Sequence, residues 1–346
     1  MDHPHLALTI SHIREESPDF KTFYFAADPA RPIAYQSGQY LTLVLEQRQQ
    51  EFRRSYSIIS APVLHEPLAI GVKRIDNGLF SRYLIDQVRP GDQLLTTGAG
   101  GLFTLPAQVE DYRQVFFFAA GSGITPILSL LKTVLYGHPL LKAVLIYSNH
   151  TPQQAIYLAE LQQLAEAFPN RFQLECLYSN AANLARARLH KELLLWLVEN
   201  YALAPADQLL AYVCGPLNYM RMCLYGLREA HIPGENIRKE NFSTEKPKAL
   251  VVPADQEAHL VTLHWQGKTY QVTVQYPETI LKAARKSGVD LPYSCEAGRC
   301  GNCVARCRSG QVWLAYNDVL TDKEIARGLT LTCMGYPVGG EVVLEI

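Results

Sequence analysis

The sequence predicts three folds in succession: an antiparallel β-barrel over residues 1–110, a doubly wound α/β domain over 111–242 and, after a linker at 243–258, a smaller domain over 259–346. Three observations predict this. Short segments with turn punctuation fill the first third, and from Gln114 buried apolar strands alternate with amphipathic helices. Five of the eight cysteines (Cys295, Cys300, Cys303, Cys307 and Cys333) then crowd into the last 52 residues.

The barrel strands are HLALTISHI, KTFYFAA, QYLTLVLE, RRSYSIIS, PLAIGVKRI and GDQLLTTG, interrupted by one helix over 78–88. The run VFFFAAG opens the α/β domain and leads into a helix with Ile127, Leu130, Leu131 and Val134 on one face. There follow KAVLIYS, a helix over 152–168 with Leu161, Leu164, Ala165 and Phe168 on one stripe, FQLECLYS, a helix around Trp196, LLAYVCG and a helix through Met222. Such alternation implies a parallel sheet that binds ligands at the carboxyl ends of its strands. The run STEKPKALVVPADQEA has no apolar period and reads as the linker. Beyond it, LVTLHW and YQVTVQY flank the turn Gln266–Gly267 as a hairpin, and a helix follows that Gly288 ends. Thr321 and Glu324 form a capping box for one more helix, and EVVLEI is a final strand.

A hydrophobic fraction of 48% with 19% charged residues, over 346 residues, excludes disorder as the main state. Lys and Arg number 32 against 33 Asp and Glu, so no long-range field draws polyanions, and nucleic-acid binding is not expected. The start, MDHPHLALTI, lacks the basic and apolar stretches of a secretory leader, and no apolar run approaches the roughly 18 residues of a membrane span. The expectation is a cytoplasmic protein without a membrane partner.

Cys295, Cys300, Cys303 and Cys333 follow the spacing of plant-type [2Fe-2S] ligation, C-x4-C-x2-C and a distant C. Two bridged irons need four converging thiolates, and Gly298 and Gly301 allow the run CEAGRCGNC to wrap a cluster. Zinc ribbons instead show two CxxC pairs. Cys307 stands three residues after Cys303, but Arg308 follows where the bacterial-type motif has proline, so Cys307 reads as a half-buried strand residue and no ligand. Cys176, Cys214 and Cys223 read as core residues.

Arg54, Ser55, Tyr56 and Ser57 lie in a strand, with Arg54 and Tyr56 on one face. They suit a flavin site, guanidinium to phosphate and phenol to isoalloxazine, or equally an ordinary strand with one ion pair. Gly78, Leu79, Phe80 and Ser81 open a helix whose amides suit a pyrophosphate or a simple cap. Gly121, Ser122, Gly123, Ile124, Thr125 and Pro126 join a buried strand to a helix, as a diphosphate-binding turn does and as a plain tight turn also does. Cys214, Gly215 and Pro216 end another parallel strand, where a nicotinamide could lie or the chain could merely turn.

Taken in order, RSYS, GLFS, GSGITP, CGP and the ENF of Glu240–Phe242 resemble the ferredoxin-NADP reductase superfamily. With a ferredoxin domain at the C-terminus, the whole chain resembles the reductase subunits of phenylacetate-degrading and related oxygenases. The resemblance implies an FAD-binding barrel, a nicotinamide-nucleotide domain and a [2Fe-2S] β-grasp domain. It implies Arg54 as flavin-phosphate ligand, Tyr56 as the stacking ring, Ser57 beside the flavin N5, Gly78–Ser81 as the pyrophosphate loop, and Gly121–Pro126 with Cys214–Pro216 for NAD(P)H. Tyr56, Ser57, Cys214 and Glu240 become the catalytic candidates, with Phe242 beside the flavin. Many relatives carry an arginine where Ser148, Asn149 and His150 end their strand here; Ser148 with Arg186 or Arg188 could accept a 2′-phosphate, which leans the nucleotide toward NADPH.

NAD(P)H gives up two electrons together and an iron–sulfur cluster takes one, so a flavin must convert between them. No third constellation of acid, base or metal ligands appears, which makes another protein, an oxygenase component, the expected acceptor. A redox-sensing module, or a reductase serving a hybrid-cluster or demethylating enzyme, would show the same motifs. Arg299, inside the cluster loop, and Arg306 and Arg308 just beyond it are expected to face a partner or solvent.

Overall fold

Alternation of apolar and polar residues folds the first hundred residues into one antiparallel sheet. Its strands are β1 (Leu6–Ser17), β2 (Phe20–Phe25), β3 (Tyr40–Gln47), β4 (Gln50–Ser57), β5 (Ala69–Lys73) and β6 (Gln93–Gly100), in the order β4-β3-β6-β1-β2-β5. An antiparallel bridge between Ile58 and Ile70 joins the two edges, so the sheet closes. Ile10, Phe23, Leu41, Leu43 and Val72 fill the interior, and Phe80 and Leu84 of α1 (Leu79–Asp86) pack against it. The structure, a computed structural model, describes residues 5–47, 50–243, 245 and 251–346. The first four residues, and 244 and 246–250 of the expected linker, lie outside the described residues.

The second sheet is wholly parallel. It runs β7 (Gln114–Ala120), α2 (Ile124–Gly137), β8 (Lys142–Asn149), α3 (Leu158–Ala167), β9 (Phe172–Tyr178), α4 (Lys191–Tyr201), β10 (Leu209–Cys214), α5 (Leu217–Glu229) and β11 (Ile237–Glu240), in the strand order β11-β10-β7-β8-β9. The run VFFFAA is apolar throughout because both faces are covered. Val115 and Phe117 pack with Ile127 and Leu161, whereas Phe116 and Phe118 pack with Leu194 and Met220. The helix expected over 152–168 is shorter: a 3-10 turn at Pro152–Gln154 precedes Tyr157, which takes φ 59° and starts α3 only at Leu158. Tertiary contacts override the periodicity there. The Tyr157 hydroxyl shares a hydrogen bond with Thr22 of β2 (2.8 Å), and its ring stands edge-on to Phe20.

The third sheet holds β12 (His259–Trp265), β13 (Lys268–Val274), β14 (Val304–Leu314), β15 (Leu329–Leu331) and β16 (Gly335–Glu345), ordered β13-β12-β16-β14-β15, with α6 (Ile280–Lys286) and α7 (Asp322–Ala326). Only β12 and β16 pair in parallel. Gln266 and Gly267, at φ 51° and 72°, make the hairpin turn. The pattern does not announce β14. Its residues are mostly half-buried or polar, and its pairing with β16 shifts register on either side of Ser309.

The chain divides into two compact units, Met1–Glu240 and Asn241–Ile346. Barrel and parallel sheet therefore share one unit, and polar contacts cross between them. Lys132 of α2 is buried, ion-paired to Glu66 (3.0 Å) and to Glu160 (2.6 Å), and the Ser129 hydroxyl donates to the Ser60 carbonyl (2.6 Å). These fix the nucleotide-domain strand ends with respect to β4. Among the described residues no helix is long and apolar enough to cross a membrane.

Candidate functional site

Alternation along β4 separates its motif into two sets. Arg54 is exposed, with Nη1 donating to the Arg53 carbonyl (2.7 Å), and Tyr56 lies half-buried on the same side, its ring 6.0 Å from that of Phe80. Burial pushes the Tyr56 phenol well above its ordinary value and keeps it neutral. On the other side Ser55 shares a hydrogen bond with Thr42 (3.1 Å), and Ser57 is buried. At the start of α1, Phe80 and Ser81 are buried, and the Ser81 hydroxyl accepts from the Ile75 amide (3.1 Å). Gly78, the residue before the helix, and Leu79, 48% exposed, leave mainly backbone at the surface.

The strand order reverses between β7 and β10, and both glycine motifs sit at that switch point. After β7, Gly121–Gly123 form a 3-10 turn that runs directly into α2. A Cβ on Gly123 would lie 2.2 Å from the Cys214 carbonyl oxygen and 2.9 Å from the Gly215 nitrogen, so the two turns touch through bare backbone. Gly121 takes φ 55° and faces open space. Ile124, Thr125 and Pro126 are buried, which leaves Gly121 and Ser122 as the accessible part of the motif. Ser148 pairs with Ala120 at the same edge of the sheet.

Cys214 and Glu240 end neighbouring strands in register, and the Ser57 hydroxyl, 183 residues away in sequence, donates to Glu240 Oε2 at 3.4 Å. Burial raises the Glu240 carboxyl to about 8, against the lowering effect of that hydrogen bond. The Cys214 thiol is likewise held neutral by burial and by the neighbouring carboxyl. Thus β4, β10 and β11 bring three of the four catalytic candidates into one buried group. Phe242, 47% exposed, belongs to the second unit.

In that second unit the four cysteines form two pairs. Cys303 and Cys333 have sulfurs 3.1 Å apart, and the Cys300 thiol bonds to Cys295. That bond and the backbone amides of Arg299, Ala297 and Cys300 pull the Cys295 thiol down, and Ala297 N stands 3.4 Å from its sulfur. Gly298 and Gly301 take φ 68° and 74°, the left-handed turns the loop requires. Among the described residues no three His, Cys, Asp or Glu side chains close on a single ion, and two thiol pairs suit two irons better than one zinc. Cys307 is half-buried on β14 and its thiol donates to the Ser309 carbonyl (3.3 Å).

Sequence reasoning missed how the arginines are used. Arg306 donates to the Arg327 carbonyl (3.0 Å), Arg308 pairs with Glu345, and Arg299 binds Ser243, so none simply faces solvent. Arg186 is also engaged, paired with Glu175 and set against the Trp196 ring. Arg188 is exposed.

Known proteins match each part in turn. Residues 7–105 match the oxidoreductase FAD-binding domain, 117–224 the oxidoreductase NAD-binding domain, and 263–338 the 2Fe-2S iron-sulfur cluster binding domain. The chain is 32% identical to one of the subunits of 1,2-phenylacetyl-CoA epoxidase from Escherichia coli (strain K12), over 98% of this chain and 97% of that protein. This chain belongs to the oxygenase reductases that join FAD-binding, NAD-binding and [2Fe-2S] domains. This oxygenase reductase is also 30% identical to the ferredoxin reductase component of 3-ketosteroid-9-alpha-monooxygenase from Rhodococcus rhodochrous, covering 98% and 96% of the two chains. Its fold is that of phthalate dioxygenase reductase, with a TM-score of 0.60 at 23% identity and coverage of 99% and 98%. An oxygenase reductase is an oxidoreductase that carries electrons from NAD(P)H to a separate oxygenase component.

Proposed function

We propose that this reductase serves an oxygenase of the phenylacetyl-CoA epoxidase type, and that the residues assembled above hold its cofactors. The choice of acceptor rests on identity extending over nearly the whole of both chains, a modest 32%, with steroid-oxygenase reductases close behind. The redox roles rest on one observation: the Gly123 and Cys214–Gly215 turns meet within the unit that also brings Ser57 to Glu240. A nucleotide at the switch point and a flavin on β4 would then share a dry, preorganised boundary.

The residues present fit these groups. Arg54 and Tyr56 offer a cation and a ring on one side of β4, Gly78–Ser81 offer helix-start backbone, and Gly121 and Ser122 offer open backbone to a diphosphate. Two thiol pairs, Cys295 with Cys300 and Cys303 with Cys333, supply four ligands for a two-iron cluster. When bound, the flavin takes two electrons from NAD(P)H as hydride and releases them singly to the cluster. Ser57, Cys214 and Glu240 would exclude water from that face, and the neutral Glu240 carboxyl holds a proton at the Ser57 hydroxyl. Residues 148–151 include no carboxylate to pair a ribose 2′-hydroxyl, which supports NADPH over NADH. A cytoplasmic location accompanies this reading.

Anaerobic titration of the purified protein with NADPH or NADH, followed by visible spectroscopy, tests it. Bleaching of flavin and cluster bands together, and turnover with a phenylacetyl-CoA epoxidase oxygenase component, is the expected result. Equal turnover with a steroid-oxygenase component alone would move the acceptor to that class.

A further inference from the structure

Arg299 stands in the cluster loop, yet its guanidinium turns away from solvent toward the chain entering the second unit. Nη1 donates to Ser243 Oγ (2.8 Å) and to the Ser243 carbonyl (3.2 Å), and the guanidinium carbon lies 5.6 Å from the Tyr316 ring centre. The same short segment is held a second time. Asn241 Nδ2 donates to Asp318 Oδ2 (2.9 Å), and the Asp318 amide donates to the Gly298 carbonyl (2.9 Å), again in the cluster loop. At the far end of the connection, Asp255 accepts from the Gly339 amide (2.6 Å) and bonds His259 (2.7 Å). Glu240, bonded to Ser57, closes the first unit one residue before Asn241.

We infer that Arg299 is a positioning residue for electron transfer into the cluster: by clamping Ser243 to the cluster loop it confines the free connection between the units to the bonds beside Glu240. The inference rests on the cofactor assignment above. Two redox centres on separate units meet at an effective concentration set by tether length, which falls as roughly the −3/2 power of that length once the tether exceeds its span. Releasing Ser243 and Asn241 would move the first strong anchor to Asp255 and lengthen the tether accordingly. The step served moves one electron from the reduced flavin to one iron of the oxidised cluster. No bond joins the two, and the flavin's proton passes to solvent.

The test uses the full-length protein loaded with FAD and cluster, comparing Arg299→Gln and the double variant Asn241→Ala/Ser243→Ala, which leaves the cluster loop intact. Hydrogen exchange over residues 241–254 should rise in both variants. In anaerobic stopped flow, flavin reduction by NAD(P)H should keep its rate while electron passage to the cluster slows roughly fivefold, with an unchanged cluster potential. An unchanged transfer rate in the double variant despite faster exchange overturns the inference. So does a slowed Arg299→Gln with a shifted potential beside a normal double variant, which would make Arg299 a tuner of the cluster. Should Arg299→Gln lose its cluster, the double variant decides alone. A wild-type protein whose cluster NAD(P)H cannot reduce refutes the cofactor assignment instead, whatever the exchange data show.

Discussion

Ser57 on the flavin-side barrel donates a hydrogen bond of 3.4 Å to Glu240 at the end of the nucleotide-side sheet. The carboxyl group it reaches is 8% exposed, and burial dominates its titration. Two folds with separate hydrophobic cores thereby share one buried proton.

That proton sets a pH dependence. Glu240 moves from an ordinary 4.5 to about 8 on folding, so below 4.5 it is protonated in both states. Between 4.5 and about 8 the unfolded chain releases its proton while the folded chain retains it, and stability falls as pH rises, by on the order of a few kcal/mol. Glu240→Gln should abolish this slope. Melting temperatures of both proteins from pH 5 to 9 check it: the variant's advantage grows to pH 8 and then levels. Parallel curves would mean the carboxyl ionises freely.

Each of Cys295→Ser, Cys300→Ser, Cys303→Ser and Cys333→Ser should lose the cluster and keep reducible flavin, because the two lie in separate units. Cys307→Ser should keep the cluster, since its thiol is engaged by Ser309 on β14. Iron and sulfide analysis of the five proteins decides; a cluster surviving in Cys333→Ser and lost in Cys307→Ser would reverse the assignment.

Gly123→Ala would force a methyl to 2.2 Å from the Cys214 carbonyl, where neither backbone can yield without separating the two turns. The expected loss is roughly 1–3 kcal/mol of stability, with a raised KM for NAD(P)H. Gly121→Ala meets open space and suffers only its left-handed φ, about 1 kcal/mol. Thermal unfolding and steady-state kinetics on the pair test the ranking, and equal effects would refute close approach as the role of Gly123.

Arg54→Ala should weaken flavin retention about tenfold or more, the equivalent of roughly 1.5–3 kcal/mol for a charge-assisted bond. Flavin released on dialysis at low protein concentration measures it. Full retention would make Arg54 a surface residue of β4 alone.

The sequence by itself determined the strands of the first two sheets, the hairpin at Gln266–Gly267 and the four-cysteine spacing, because periodicity, turn chemistry and ligand spacing are local. It also placed the glycine motifs after β7 and β10. Only the tertiary structure decided that these turns touch, that Glu240 receives Ser57, that Tyr157 interrupts a helix to bond Thr22, and that Arg299 holds Ser243. Those pairs join residues from 56 to 183 positions apart. No local pattern encodes such a meeting: it follows from sheet order and from burial, which select a partner for each polar group only once the chain has closed around it.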